Sequence, residues 1–372
     1  MIHLIFSLPC LYVVARGVWP LPWPLPLKLG LAAILLVASQ YHLWSRLSSG
    51  SVFSPEFPRP VVMLFSGAFG AIILLALLLF AFDTAALVSL ALPGGGWEVP
   101  TAWRIGAALA VALLAAVAVQ QAVRVPPLKD VDVAVRDLPP GFEGYTILHL
   151  TDLHISRLFP ASWAQAVVTR ANELDTDVIL VTGDFIDGSF AARQADVEPL
   201  RHLTARDGVW AIPGNHEYFF DVETWMRHFA GMGMHILANA HAVVTRGGDA
   251  LVLAGVTDRS APAIGHPGPD LDAALAGAPA NTPIVLLDHQ PANAPRAAAR
   301  GVALQLSGHT HGGMIVGLDR LVARGNNGFV SGAYRVGGMT LYVNNGTGLW
   351  AGFALRLGRP SELTRITLRR TS

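Results

Sequence analysis

The spacing of apolar positions divides the chain in two. Through the first 125 residues long apolar runs recur with almost no charge between them: Met1 to Ala15, Leu29 to Trp44, Val61 to Phe82 and Ile105 to Val119. A bilayer core of about 30 Å needs roughly 20 helical residues. Val61 to Phe82 meets that without a single charged side chain, and Ile105 to Val119 meets it if extended to about Val123. The first two runs are weaker. Pro9 lies in one, Gln40 and His42 interrupt the other, and a hinge holding Pro20, Pro22, Pro24 and Pro26 joins them. Read as a helical hairpin, they complete a transmembrane region of about four helices over residues 1–124. No charged segment or small-residue cleavage site marks the first run as a cleaved signal peptide.

Val125-Pro126-Pro127 breaks the last apolar helix and Pro139-Pro140-Gly141 closes what reads as a linker, residues 125–144. From Tyr145 the period changes. Short apolar runs that read as strands (Tyr145 to Leu150, Asp177 to Thr182, Gly208 to Ile212, Leu251 to Val256, Ile284 to Leu287, Val302 to Leu306) alternate with helical patterns. The helices are expected at Ala161 to Leu174, near Ala191 to Thr204, near Val222 to Gly231 and near Ala292 to Arg300. That alternation predicts an α/β fold with a largely parallel core over residues 145–372. Thr340 to Val343 and Leu363 to Leu368 read instead as antiparallel strands closing a second sheet.

Composition supports the division. The chain is 52% hydrophobic and 14% charged, against roughly 25% charged in ordinary soluble proteins. Only nine of its charged residues precede residue 126: Arg16, Lys28, Arg46, Glu56, Arg59, Asp83, Glu98, Arg104 and Arg124. With four spans, the loop holding Arg46 and Arg59 shares a side with Arg124, Lys129 and Arg136, so the positive-inside rule places the C-terminal domain in the cytoplasm. Net charge is zero and there is no basic run, which argues against a nucleic-acid partner. The lone cysteine, Cys10, cannot staple the fold or supply a thiolate site.

The chemistry lies in five clusters that follow predicted strands: Asp152-Leu153-His154, Gly183-Asp184, Gly214-Asn215-His216-Glu217, His289, and Gly308-His309-Thr310-His311-Gly312. Each alone has an ordinary reading as a cap, a turn or a surface histidine. Together, at strand ends where α/β sheets build their sites, they read as metal ligands. Carboxylate, imidazole and amide oxygen suit divalent Mn, Fe, Zn or Ni. Two such ions a few ångströms apart suit phosphoryl chemistry. His149 reads as core or near the site, and the remaining histidines as surface. Tyr218-Phe219-Phe220 reads chiefly as packing.

The order Asp-x-His, Gly-Asp, Gly-Asn-His-Glu, His, Gly-His-x-His resembles the calcineurin-like metallophosphoesterase superfamily over about Thr146 to Arg369. Apolar spans before the domain, Gly-His-Thr-His-Gly-Gly and the late Arg-Leu-Gly-Arg-Pro-Ser-Glu-Leu run are similar to its membrane-associated YkuE/YaeI-like branch. Met314 stands where that branch usually has Gln, and Asp288 where it has Ser or Ala; neither change removes a ligand. The resemblance implies a two-sheet β-sandwich flanked by helices. It implies one metal on Asp152, His154 and His311, another on Asn215, His289 and His309, and Asp184 bridging both. His216 would be a catalytic non-ligand acting on the phosphoryl group, with Glu217 orienting either His216 or a metal ligand. The expected function is a membrane-anchored binuclear-metal phosphohydrolase using metal-activated hydroxide on a phosphoester or pyrophosphate. Its partners would be the lipid bilayer and a phosphorylated or lipid-linked small molecule. An anchored phosphodiesterase for soluble nucleotides and a catalytically silent membrane scaffold are the alternatives.

Overall fold

The computed structural model describes residues 2–371. It divides into two compact units. One holds the residues up to Ala122 together with Ala351–Leu355; the other holds Val123–Trp350 and the chain from Arg356 onward.

The first unit is helical: α1 (Ile2–Val13), α2 (Leu25–Ser39), α3 (Tyr41–Ser49), α4 (Arg59–Ser89) and α5 (Thr101–Val123). At about 1.5 Å per residue, the 31 residues of α4 and the 23 of α5 exceed the thickness of a bilayer core. These two are long and apolar enough to cross a membrane, and α2 with α3 makes a third only if a pair bent by 52° is one span. Among the described residues, two or three of the expected four spans are therefore supported. The apolar helix Ser7–Val18 is too short, and the second run breaks at Gln40, whose backbone leaves the helical region (φ −89°, ψ 20°). Met1, at the head of the first run, lies outside the described residues.

The second unit carries twelve strands: β1 (Leu128–Val135), β2 (Thr146–Leu150), β3 (Val178–Val181), β4 (Val209–Ala211), β5 (His235–Ile236), β6 (Ala240–Arg246), β7 (Asp249–Gly255), β8 (Ile284–Leu287), β9 (Leu304–Ser307), β10 (Gly332–Val336), β11 (Met339–Val343) and β12 (Leu363–Arg370). They form two six-stranded sheets, in the orders β1-β12-β2-β3-β4-β5 and β10-β11-β9-β8-β7-β6. Parallel pairing runs from β2 to β5 in the first and through β7, β8, β9 and β11 in the second.

Alternation along the strands explains the layering, because successive side chains leave opposite faces. Leu251, Leu253, Val285 and Leu287 join Ile147, Leu180 and Ile212 of the first sheet in one buried cluster. Their alternates Val252, Ala254 and Leu286 pack with Ala294 and Ala297 of the helix Ala294–Ala299 in another. The expected α/β sandwich is thus present, with two changes. The predicted linker contains β1, in which Val131, Val133 and Val135 contribute to the core while the exposed Asp130, Asp132 and Ala134 alternate with them. The two late strands each have an antiparallel partner, as expected, but in different sheets. β11 is antiparallel to β10 and parallel to β9 in the second, whereas β12 joins the first, antiparallel to β2 and parallel to β1. Local alternation carries no information about such distant partners.

Leu287 is fully buried in the cluster between the sheets, whereas Leu321 is 58% exposed. Leu287→Ala should lower the opening free energy of β8 and β9 amides by about 2–5 kcal/mol, read by hydrogen exchange. Leu321→Ala should change it by no more than about 0.5 kcal/mol.

Candidate metal centre

The five clusters meet at the carboxyl ends of parallel strands from both sheets. Asp152 and His154 follow β2, Asp184 follows β3, Asn215 and His216 follow β4, His289 follows β8, and His309 and His311 follow β9. Such strand ends are where open α/β sheets place their ligands. The local backbone is unusual. Asp152, His154, Asp184, His309 and His311 all have left-handed φ, between 45° and 67°. Short polar residues reach that region at a cost of order 1–3 kcal/mol, and its clustering marks a functional site. Glycines permit the close approach that follows. A Cβ at Gly308 would collide with the Asp152 carboxylate, and one at Gly214 with that of Asp184.

The donor atoms converge in two main groups, Asp152–His154–His311 and Asp184–His289–His309. In the first, His154 Nε2 lies 3.8 Å from Asp152 Oδ1, and His311 Nε2 lies 3.6 Å from the same oxygen. The two Nε2 atoms are 3.3 Å apart. In the second, His289 Nε2 is 3.2 Å from Asp184 Oδ2, and Asn215 Oδ1 is 3.1 Å from His289 Nε2 and 2.9 Å from His309 Nδ1. Asp184 Oδ2 also approaches His154 Nε2 at 3.7 Å, so one carboxylate faces both groups. The structure therefore brings together every residue singled out as a ligand.

This donor set fits a metal ion. His289 Nδ1 pairs with the carbonyl of Thr182 at 2.7 Å, so it carries the proton and a neutral ring turns the Nε2 lone pair inward. His154 Nδ1 is likewise taken by Asp187 Oδ1 at 3.2 Å. These partners fix tautomer and ring orientation as they do around bound metals. Without a cation the cluster must hold its charge with protons. Burial pushes both carboxyls up, yet the imidazoles outweigh it, His311 beside Asp152 and His289 beside Asp184, and hold them well below the usual carboxylate range. Burial also opposes charge on His154, but Asp187 and Asp152 lift it to about 10; Asp184 lifts His289 in the same way. His309 goes down to about 4 through burial and the charge of His289, and burial likewise lowers His311.

Three supporting residues were less legible. Asp187 is fully buried and its Oδ1 also takes His216 Nδ1 at 2.5 Å, so one carboxylate orients both His154 and His216. The signal was present as a second acid three residues after Asp184. Of the two roles expected of Glu217, support of a ligand is the one seen. Its carboxylate accepts the backbone N–H groups of Asp184, Phe185 and Gly214 at 2.9, 2.7 and 2.7 Å, which holds the loop that presents Asp184. Asp288, next to His289, is buried, its carboxyl raised to about 7 by burial and by Asp258. His216 itself gathers with His154 and Asp184, its Nε2 lying 4.0 Å from Asp184 Oδ2.

Comparison with known proteins agrees with this geometry. The calcineurin-like phosphoesterase family profile matches residues 145–313. A transmembrane protein with metallophosphoesterase domain from Danio rerio is 36% identical over 272 residues, covering 71% of this chain and 62% of its own. Its Bos taurus counterpart is 34% identical over 275 residues, covering 70% and 61%. The uncharacterized metallophosphoesterase YkuE of Bacillus subtilis is 30% identical over 246 residues, covering 63% of this chain and 82% of that one. The chain belongs to the calcineurin-like metallophosphoesterase family. It spans less than two thirds of the Danio and Bos proteins. The names of those two relatives and the length of α4 and α5 both point to membrane association.

Asp187→Asn should weaken Mn²⁺ binding by roughly 10–100-fold, measured by equilibrium titration, with the circular dichroism of the protein unchanged. A second expectation concerns pH. Because His154 and His289 are raised, a metal must displace their protons, and apparent affinity should fall as pH falls. Calorimetric titrations should show weaker Mn²⁺ binding at about pH 6 than at about pH 8, with protons released to the buffer.

Proposed function

We propose that the chain is a membrane-anchored phosphohydrolase with a binuclear metal centre that cleaves a phosphoester or pyrophosphate bond. The observation that carries this reading is the single carboxylate of Asp184 facing two convergent donor groups. Asp152, His154 and His311 would hold one divalent ion, and Asn215, His289 and His309 the other, with Asp184 shared. Mn, Fe, Zn and Ni all match these ligands. The ions, when bound, supply Lewis-acid polarisation of the phosphoryl oxygens and a water acidic enough to attack at neutral pH.

The chain's own groups do the rest. Asn215 contributes a neutral oxygen, so the centre keeps positive charge for a phosphate. His216 carries its Nδ1 proton toward Asp187 and keeps Nε2 on the side of Asp184. When Nε2 carries a proton it can donate to a phosphoryl oxygen or protonate the leaving alkoxide. Asp187 then acts through His216 by fixing its tautomer, and Glu217 by fixing the Asp184 loop.

Anchoring favours a lipid-borne substrate, because tethering raises the effective concentration of anything else held in the same bilayer. A phospholipid or a lipid-linked nucleotide is the class we assign. The multi-pass helices and the positive residues Arg46, Arg59, Arg124, Lys129 and Arg136 support a cytoplasmic phosphohydrolase unit.

Detergent-purified protein should hydrolyse bis-p-nitrophenyl phosphate in the presence of Mn²⁺, and Asp184→Asn should reduce the rate to background. Release of phosphate or nucleotide from lipid substrates in mixed micelles should exceed release from soluble nucleotides. A folded, metal-loaded wild type inactive on both would leave the chain as a scaffold.

A further inference from the structure

Arg356 is 1% exposed and among the largest fully buried side chains, yet it makes no ion pair among the described residues. Its guanidinium is spent on four backbone carbonyls. Nη1 donates to His311 at 3.1 Å and Arg359 at 3.0 Å, and Nη2 donates to Asn345 at 2.6 Å and Gly348 at 2.9 Å. A buried charge is costly to desolvate, so its use on main-chain oxygens calls for a reason. The reason lies in what it holds. His311, Gly312, Gly313 and Met314 all have left-handed φ, between 50° and 75°, a run that no local preference sustains. The returning segment fastens this run from outside: Arg356 takes the His311 carbonyl, Leu357 N–H donates to Met314 at 3.0 Å, and Val316 N–H donates to Leu357 at 3.0 Å. His289 and His309 are held differently, through Thr182 and through the Asp152 carboxylate, without this segment.

The five residues before Arg356 belong to the helical unit. There the Ala351 carbonyl receives both the Tyr41 hydroxyl, at 2.9 Å, and the Ser66 hydroxyl, at 3.2 Å. Phe353 meets Phe69 edge-on with ring centres 6.3 Å apart, and the Leu355 side chain occupies the space beside Gly70 that a Cβ would need. Tyr41, Ser66 and Phe69 are all buried. Buried hydroxyls in an apolar helical unit are unusual, and here both serve one carbonyl from the far end of the chain.

We propose that Arg356 is the positioning residue of His311 and that, through the excursion Ala351–Leu355, the helical unit sets the metal affinity of the His311 site selectively. The inference rests on the metal-centre reading above. It makes the helices part of the metal chemistry as well as an anchor.

The test uses full-length protein in detergent at controlled free Mn²⁺, with bound metal read by elemental analysis and its environment by electron paramagnetic resonance. Wild type should bind two ions with a spin-coupled spectrum. Arg356→Lys keeps the charge but loses the planar fork. It should bind one of the two ions at least about 10-fold more weakly and show an isolated-ion spectrum, the other ion being retained. The pair Tyr41→Phe with Ser66→Ala should shift the same site in the same direction, and it decides the matter if Arg356→Lys does not fold. Wild-type affinity in the Tyr41, Ser66 variant, or equal weakening of both ions in either variant, overturns the proposal. A wild type that binds no Mn²⁺ overturns the metal-centre reading itself.

Discussion

The fold of the second unit depends on one constraint: acceptors that repel each other must be held face to face. Asp152, Asp184, His154, His289, His309, His311 and Asn215 bring carboxylate, imidazole and amide lone pairs within a few ångströms, away from water. Without a cation, protons on His154 and His289 beside the Asp187 and Asp184 carboxylates offset part of that repulsion. The arrangement persists because four of the seven groups are gripped from behind: His154 by Asp187, His289 by the Thr182 carbonyl, the Asp184 loop by Glu217 and the His311 loop by Arg356. Five of the seven also stand on left-handed backbone, a further cost that the packed strands beneath must offset.

Those strands explain why the site was readable before any coordinates. A carboxylate or imidazole just past a buried strand stands out against Val, Ile and Leu, and five such endings in one chain have no ordinary explanation. The layers were readable for the same reason, since the alternation in β7 and β8 assigns odd and even residues to opposite faces. What escaped the sequence was whatever depends on distant partners. Asp187 reads as a turn residue until His154 and His216 are seen on its carboxylate. Arg356 is one arginine in a Gly-rich tail until its four carbonyls are known. The partition of β11 and β12 between sheets, and the recruitment of β1, follow from long-range pairing that local periodicity cannot encode. The four-span reading of the helical unit is supported only in part for a related reason. Apolar composition marks a segment as fit for a bilayer, but length and breaks decide whether it spans, and Gln40 and the proline hinge are breaks.

The division of the donor set between the sheets has a mechanical consequence. Asp152 and His154 come from the first sheet and His311 from the second; Asp184 and Asn215 come from the first, His289 and His309 from the second. Each ion would therefore tie the two sheets together at their strand ends, adding to apolar burial and to buried hydrogen bonds such as Asn344 to Thr364. Metal binding to a site that spans two elements is also folding free energy for the pair. The same ions that polarise a phosphoryl group would hold the rim of the sandwich closed. Catalytic geometry and local stability thus rest on the same few bonds, so a residue that merely holds a loop, such as Asp187 or Arg356, can matter as much to the chemistry as a ligand.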